Sequence, residues 1–133
     1  MEENQPSNQP SNQLTNQATL QFSNSPNSIT LKLYWQSEAP LPTDYTTFVH
    51  LRNAAGETVA QKDQPPLEGA YPTSLWDPGE IIADEVTIPL PEELPSGEYS
   101  LVVGLYDLTT GLRLPVPDTA DNSLRLTTIE VAH

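Results

Sequence analysis

The residues best suited to chemistry lie in the stretch from Gln64 to Gly79, QPPLEGAYPTSLWDPG, which carries four prolines, two aromatic rings and two acids. The rings of Tyr71 and Trp76 could stack on a sugar or on a peptide proline, and the carboxylates of Asp77 and Asp63 could accept sugar hydroxyls. The other interpretation is that both rings fold back as plugs over an open end of the fold, because a long loop needs packing of its own. We favour the plug for the two rings and take these four residues as the candidate ligand-binding set.

Catalytic and metal-binding patterns are weak in this chain. His50 could form an acid–base pair with Asp63 or Asp84, but no nucleophile motif accompanies it. The absence of cysteine excludes disulfides and thiolate metal sites, and no dense D-x-D-x-D-G loop for calcium is present. We therefore predict no catalytic residue, no metal and no cofactor. The acids weighed for a calcium site or a glycosidase-like pair are Asp44, Asp63, Asp77, Glu80, Asp84 and Glu85.

The elements that must position these residues are short strands. Apolar and polar residues alternate in runs separated by turn residues about every ten positions, which is typical of antiparallel sheets. The clearest run, PSGEYSLVVGLYDLTTG from Pro95 to Gly111, is a turn, a buried strand and a second turn. The pattern predicts an all-β antiparallel sandwich of seven to eight strands, immunoglobulin-like or, alternatively, a jelly-roll. The expected strands are 18–22, 29–36, 44–52, 57–63, 81–90, 98–107, 112–116 and 124–131.

Four positions carry specific structural expectations. Trp35 alternates with polar neighbours in a strand and should be central to the core, whereas Trp76 lies in a proline-rich loop and should keep some surface wet. Tyr99 enters the long strand two residues after Gly97, a placement suited to a hydroxyl that pins the adjacent loop. The strand at 44–52 has apolar residues on both faces, so its inward face stays open.

The N-terminus is a low-complexity repeat. Residues 4–19 are four tetrads, NQPS, NQPS, NQLT and NQAT, whose apolar surface is too small to offset the entropy of ordering. We therefore predict a disordered linker over residues 1–17 and one sandwich domain over residues 18–133. No apolar run approaches the roughly 20 residues that span a bilayer, so we expect a soluble domain that is tethered to a larger protein.

Charge narrows the range of partners. Five basic and eighteen acidic residues give a net charge of −13, and the basic residues lie far apart in sequence. A nucleic-acid phosphate backbone or an anionic membrane needs clustered Lys and Arg, so we exclude both. The remaining partners are a carbohydrate or another envelope protein, the latter docking on the proline-rich loop or on an edge strand such as 57–63. The isolated domain is expected to be a monomer.

Three stretches of the chain, within residues 31–117, resemble a known kind of protein region. They are LKLYWQSEAPLPTDYTTFVHL, VAQKDQPPLEGAYPTSLWDPGEIIADEVTIPLP and LPSGEYSLVVGLYDLTTGLRLPV, with YPTSLWDPGE and GEYSLVVGLYDLTTG as the strongest pieces. They resemble the C-terminal β-sandwich region of multi-spanning bacterial membrane proteins, many of which look like family-39-type glycosyltransferases of cyanobacteria and Chloroflexi-like bacteria. The resemblance implies a non-catalytic, extracytoplasmic accessory module and transfers no catalytic residue.

Overall fold

The described part of the chain folds into seven β-strands. The computed structural model of the chain describes residues 14–22, 28–116 and 119–131. The strands are β1 Leu14–Phe22, β2 Ser28–Ser37, β3 Tyr45–Arg52, β4 Thr58–Gln64, β5 Ile81–Pro89, β6 Gly97–Asp107 and β7 Leu124–Val131, with short 3₁₀ segments at Pro66–Gly69 and Thr73–Leu75.

The strands form two sheets, one with the order β1-β2-β5 and the other with the order β4-β3-β6-β7. All neighbouring strands are antiparallel, so the predicted all-β antiparallel sandwich is confirmed. The strand expected at 112–116 is wrong: Arg113 makes only an isolated bridge with Tyr106, and Leu112 is 70% exposed. Pro115 lacks a backbone donor, which prevents a regular ladder there.

The strand β1 begins earlier than the sequence indicates. It pairs with β2 without a break from Leu14 opposite Ser37 to Phe22 opposite Ile29, so the third and fourth tetrads contribute to it. Ladder hydrogen bonds use backbone groups, which Asn, Gln and Thr supply as well as apolar residues do. The predicted linker therefore overlaps β1 over residues 14–17, while residues 1–13 lie outside the described part of the chain.

The core lies between the two sheets. Along β2 and β5 every second residue is buried, which is the alternation that one buried sheet face requires. Trp35 is fully buried at the centre, as predicted, and full burial of such a side chain contributes roughly 1.5–3 kcal/mol. The facing apolar residues are Ile29, Leu31, Leu33, Ile82, Val86 and Ile88 from one sheet and Val49, Leu51, Leu101, Val103 and Leu105 from the other.

Each end of the sandwich is closed by an aromatic residue. We call the end where β2, β4 and β6 finish the upper end. There Trp76 is only 3% exposed and joins the core cluster with Leu41 and Leu114, so the expectation of a partly wet Trp76 is wrong and the plug is confirmed for Trp76, while Tyr71 packs against the core only partly buried. At the lower end the Tyr99 hydroxyl donates to the Pro95 carbonyl at 2.6 Å, which confirms that Tyr99 pins its loop.

Truncating either tryptophan should destabilise the domain to a similar degree. We expect Trp35→Ala and Trp76→Ala each to lower the free energy of unfolding by about 3–5 kcal/mol, because both remove a buried indole. The matched control is Leu75→Ala, since Leu75 precedes Trp76 and is 61% exposed; its effect should stay within about 0.5 kcal/mol. Chemical denaturation measures all three, and a Trp76→Ala effect as small as that of Leu75→Ala would contradict the plug.

Candidate functional site

The connection from β4 to β5, residues 65–80, is bound tightly to the rest of the upper end. The Thr73 hydroxyl is fully buried; it donates to the Thr43 carbonyl at 2.7 Å and accepts the Tyr45 amide at 2.9 Å. The Gly79 amide donates to the Ser37 carbonyl at 2.7 Å. These bonds join the segment to the connection between β2 and β3, so the proline-rich stretch is a structural strap across the upper end.

Polar groups inside the strap satisfy one another. The Trp76 indole N–H donates to the Tyr71 carbonyl at 2.9 Å, and the Tyr71 hydroxyl donates to Glu80 Oε1 at 2.7 Å. The Asp77 amide donates to the same carboxylate oxygen at 3.1 Å. The hydrogen bond to Glu80 raises the pKa of Tyr71 to about 12 and lowers the pKa of the Glu80 carboxyl. Tyr71, Asp77 and Glu80 are therefore held by internal contacts.

The four predicted ligand-binding residues do not form one site. Tyr71, Trp76 and Asp77 lie together in the strap, but the buried Trp76 ring offers no face for stacking. Asp63 lies on β4 and accepts the Tyr106 hydroxyl at 2.9 Å. A platform built from two exposed rings is therefore not formed, and the exposed apolar side chains next to the strap are those of Leu75 and Ile81.

A second group of chemistry-bearing side chains covers the face of the four-stranded sheet that points away from the core. We call Phe48, His50, Asp63, Tyr106 and Arg113 the outer-face cluster. Phe48 is 1% exposed although it lies outside the main core. The Arg113 guanidinium lies over its ring at 4.3 Å, and the rings of His50 and Tyr106 lie 5.0 Å and 6.2 Å away. A cation over an aromatic face is an attractive contact that desolvation strengthens.

Two neighbours make this cluster possible. Gly104 lies opposite Phe48 in the β3–β6 register, and a Cβ at that position would overlap the Phe48 ring. Arg113 donates to the Asp121 carbonyl at 2.8 Å, while Arg52 pairs with the Asp121 carboxylate at 3.0 Å. A hydrogen bond from Ser123 and the nearby Arg52 lower the pKa of Asp121. Asp121 therefore ties the β6–β7 connection to the sheet and keeps Arg113 over the ring.

His50 has an unusual environment in this cluster. Its Nδ1 atom is buried without a hydrogen-bond partner among the described residues, and burial lowers its pKa, which favours neutral imidazole at pH 7. Asp63 lies opposite Phe48, and its carboxylate accepts the Tyr106 hydroxyl. Asp84 lies on the other sheet. Neither carboxylate hydrogen-bonds to His50 in the described part of the chain, so the acid–base pair weighed from the sequence is not assembled.

Among the charged residues that the structure describes, only Asp84 is buried in the sandwich, with 2% of its surface exposed. Its Oδ1 accepts the Leu67 amide at 3.0 Å, while Oδ2 has no partner among the described residues. Leu67 and Glu68 both adopt left-handed backbone angles, with φ of 53° and 55°, which non-glycine residues rarely do. Asp84 therefore holds a strained turn at the start of the strap, and desolvation raises its pKa.

The acids weighed for calcium are dispersed among such structural tasks. The Asp44 carboxylate, for example, accepts the Ser74 amide at 3.1 Å. Over residues 14–22, 28–116 and 119–131, no group of three or more His, Cys, Asp or Glu side chains could hold a metal ion. Over the same residues, none of the helical segments has the length and apolar character needed to cross a bilayer.

The two packed antiparallel sheets define an all-β sandwich domain. Neither a scan against protein-family models nor a comparison with curated proteins yields a match for this chain.

The sequence did not indicate that Tyr106 and Arg113 belong to the outer-face cluster. The available signal was the apolar character of both faces of the β3 strand, where Phe48 alternates with the core-facing Val49.

Substitutions of Asp84 distinguish the effect of its charge on stability from the effect of its hydrogen bond. A carboxyl whose pKa is raised on folding contributes stability below its unfolded pKa, near 3.8, and loses that contribution as the pH rises through the folded value. We therefore expect Asp84→Asn, which can still accept the Leu67 amide, to gain stability relative to the wild type as the pH rises from 4 towards 7.

The matched variant Asp84→Ala also removes the titrating carboxyl but loses the hydrogen-bond acceptor as well, so it should be less stable than Asp84→Asn by about 1–3 kcal/mol at every pH in that range. Urea denaturation at several pH values measures both variants. A constant difference between Asp84→Asn and the wild type at all pH values would contradict a raised pKa.

Proposed function

We propose that this chain is a non-catalytic accessory domain of a larger bacterial envelope protein, of the kind associated with glycosyltransferases, and that it works outside the membrane. The observation that carries the proposal is the structural use of its reactive groups. Tyr71, Thr73, Glu80 and Asp84 all contribute to closing the upper end or holding its strap. Side chains fixed in this way stabilise a rigid module rather than present a reaction centre.

We also propose that the sandwich is immunoglobulin-like. Two features support this topology over a jelly-roll, which has eight strands in two Greek keys. Within the described residues, seven strands divide into sheets of three and four, and the Tyr99 hydroxyl donates back to the Pro95 carbonyl at the entry of the sixth strand. The domain differs from constant-type immunoglobulin domains because β4 pairs with β3 rather than with β5.

Fractionation of the source cells tests the accessory role. Antibodies raised against the purified domain should detect, in the membrane fraction, a polypeptide much longer than 133 residues. Mass spectrometry of that band should identify a multi-spanning protein, and protease added to intact spheroplasts should remove the epitope. A band of the size of this chain in the cytosolic fraction would contradict the proposal.

A second candidate function is carbohydrate binding on the outer face of the four-stranded sheet. It is favoured by the half-buried His50 and Tyr106 and the exposed Asp63, which place aromatic rings beside a carboxylate. Gln61, opposite His50 in the register, adds an exposed amide. This location replaces the strap, where the buried Trp76 leaves no ring pair for stacking.

NMR titration with N-acetylglucosamine and with glucuronate distinguishes the two locations. We expect the amide signals of His50, Tyr106 and Arg113 to shift while the indole signal of Trp76 stays in place. Substitution His50→Ala should weaken binding about tenfold, or about 1.4 kcal/mol, whereas the exposed control Leu75→Ala should leave it unchanged. Shifts confined to residues 65–80, or none with either sugar, would remove this candidate.

A further inference from the structure

An antiparallel sandwich exposes strands at the edges of its sheets, and an unprotected edge is a template for pairing with another chain. In the second sheet both edge strands contain a bulge. On β4, Leu51 pairs with Ala60 and Arg52 with Thr58, which leaves Val59 as the extra residue. On β7, the step from Thr127 to Arg125 similarly leaves one extra residue. Bulges twist an edge and block regular pairing.

The edge strand β5 of the first sheet is protected by different means. Asp84 points into the sandwich, and inward charges are a known protection against edge pairing. The Gln64 side-chain amide donates to the Glu85 carbonyl at 3.2 Å, so β4 covers part of the β5 edge. Pro89 ends the strand.

The remaining edge strand, β1, has none of these protections. Its sequence, LTNQATLQF, contains no charge, no proline and no glycine. It runs for nine residues in one register with β2 and shows no bulge, and within the described residues it pairs with no other strand. This is the kind of long, regular and uncharged edge that pairs with another strand.

We propose that the free edge of β1 pairs antiparallel with β1 of a second copy of this chain, about a two-fold axis at Ala18. The two three-stranded sheets then form one six-stranded sheet with the order β5-β2-β1-β1-β2-β5. An interface of this kind is isologous, because the same strand contributes from both copies. The proposal departs from the monomer that the sequence alone suggested, and it is independent of the proposed accessory role.

The pattern of β1 supports a second copy as the occupant. With Ala18 opposite Ala18, Leu14 meets Phe22, Thr15 meets Gln21 and Gln17 meets Thr19 across the axis, and Asn16 opposite Leu20 is the one pair of unlike residue types in this register. Like residue types therefore meet at four of the five distinct positions of this pairing.

Charge also favours this strand over the rest of the surface. Each copy carries a net charge of −13, which opposes association wherever acids are exposed. The strand β1 contributes no charge to this repulsion. Two copies can therefore meet along β1 at a lower electrostatic cost than along β4, β5 or β7, all of which carry acids.

Register-specific cross-linking tests the interface directly, because the chain has no cysteine of its own. In the proposed pairing, position 17 of one copy lies opposite position 19 of the other. Directly opposed residues lie about 4.5–5.5 Å apart, within disulfide reach. A mixture of Gln17→Cys and Thr19→Cys chains should form a disulfide-linked dimer on mild oxidation, several times faster than either variant alone. The control Ala83→Cys, on the other edge strand, should stay unlinked.

Analytical ultracentrifugation of lysine variants gives a second readout. Gln17 and Ala83 both pair with Tyr34, one from each side, so they form a matched set. Gln17→Lys places two positive charges at the axis and should weaken the dimer at least tenfold, whereas Ala83→Lys should leave it unchanged. Each substitution adds one positive charge and therefore lowers the repulsion between two copies equally. A difference in dimer affinity between the two variants therefore reports on the position of the charge at the β1 edge.

Three outcomes would overturn the proposal. The first is a wild-type chain that stays monomeric at every concentration in the ultracentrifuge, together with no cross-link in the mixture of the two cysteine variants. The second is equal weakening by Gln17→Lys and Ala83→Lys. The third is faster linkage of each cysteine variant with itself than with the other, which would indicate a parallel pairing or a different register. Circular dichroism confirms that each variant remains folded.

Discussion

The burial of Trp76 at the upper end is the contact on which the rest of the structure depends. Two stacked sheets leave their ends open to water, and an open end exposes the apolar residues of the strand termini. Trp76 fills this opening beside Leu41 and Leu114. Because the indole must reach the core from a long connection, the strap is fixed by Thr73 and by the bond from Gly79 to Ser37.

The four-stranded sheet buries side chains on both of its faces, which explains the apolar character of both faces of β3. Val49 and Leu51 face the core, while Phe48 is covered on the outside by Arg113 and lies against Gly104. The missing side chain at position 104 gives the ring its space, and Asp121 holds the arginine above it. The same outer face carries His50, Asp63 and Tyr106 beside the buried Phe48 ring.

The edges of the sheets differ in a way that bears on assembly. Bulges in β4 and β7 and the buried Asp84 of β5 protect three edges, each at some cost in regular pairing or in desolvation. The strand β1 carries no such protection and no charge. In the accessory role that we propose, the open edge of β1 joins two copies of the larger protein, while the outer face of the four-stranded sheet remains available to a ligand.

Local pattern was sufficient for most of the strands and for two of the aromatic residues, but it placed a strand at 112–116 that does not form and began β1 four residues too late. Alternation along Ile29–Trp35 and the turn before Tyr99 predicted a buried Trp35 and a pinned loop, because period and turn chemistry depend on near neighbours. The sequence alone left Trp76 open between a buried plug and a partly wet ring, and it did not predict the outer-face cluster. Those positions depend on contacts between residues far apart in the chain, such as Arg113 over Phe48, and only the tertiary structure decides where a long connection packs.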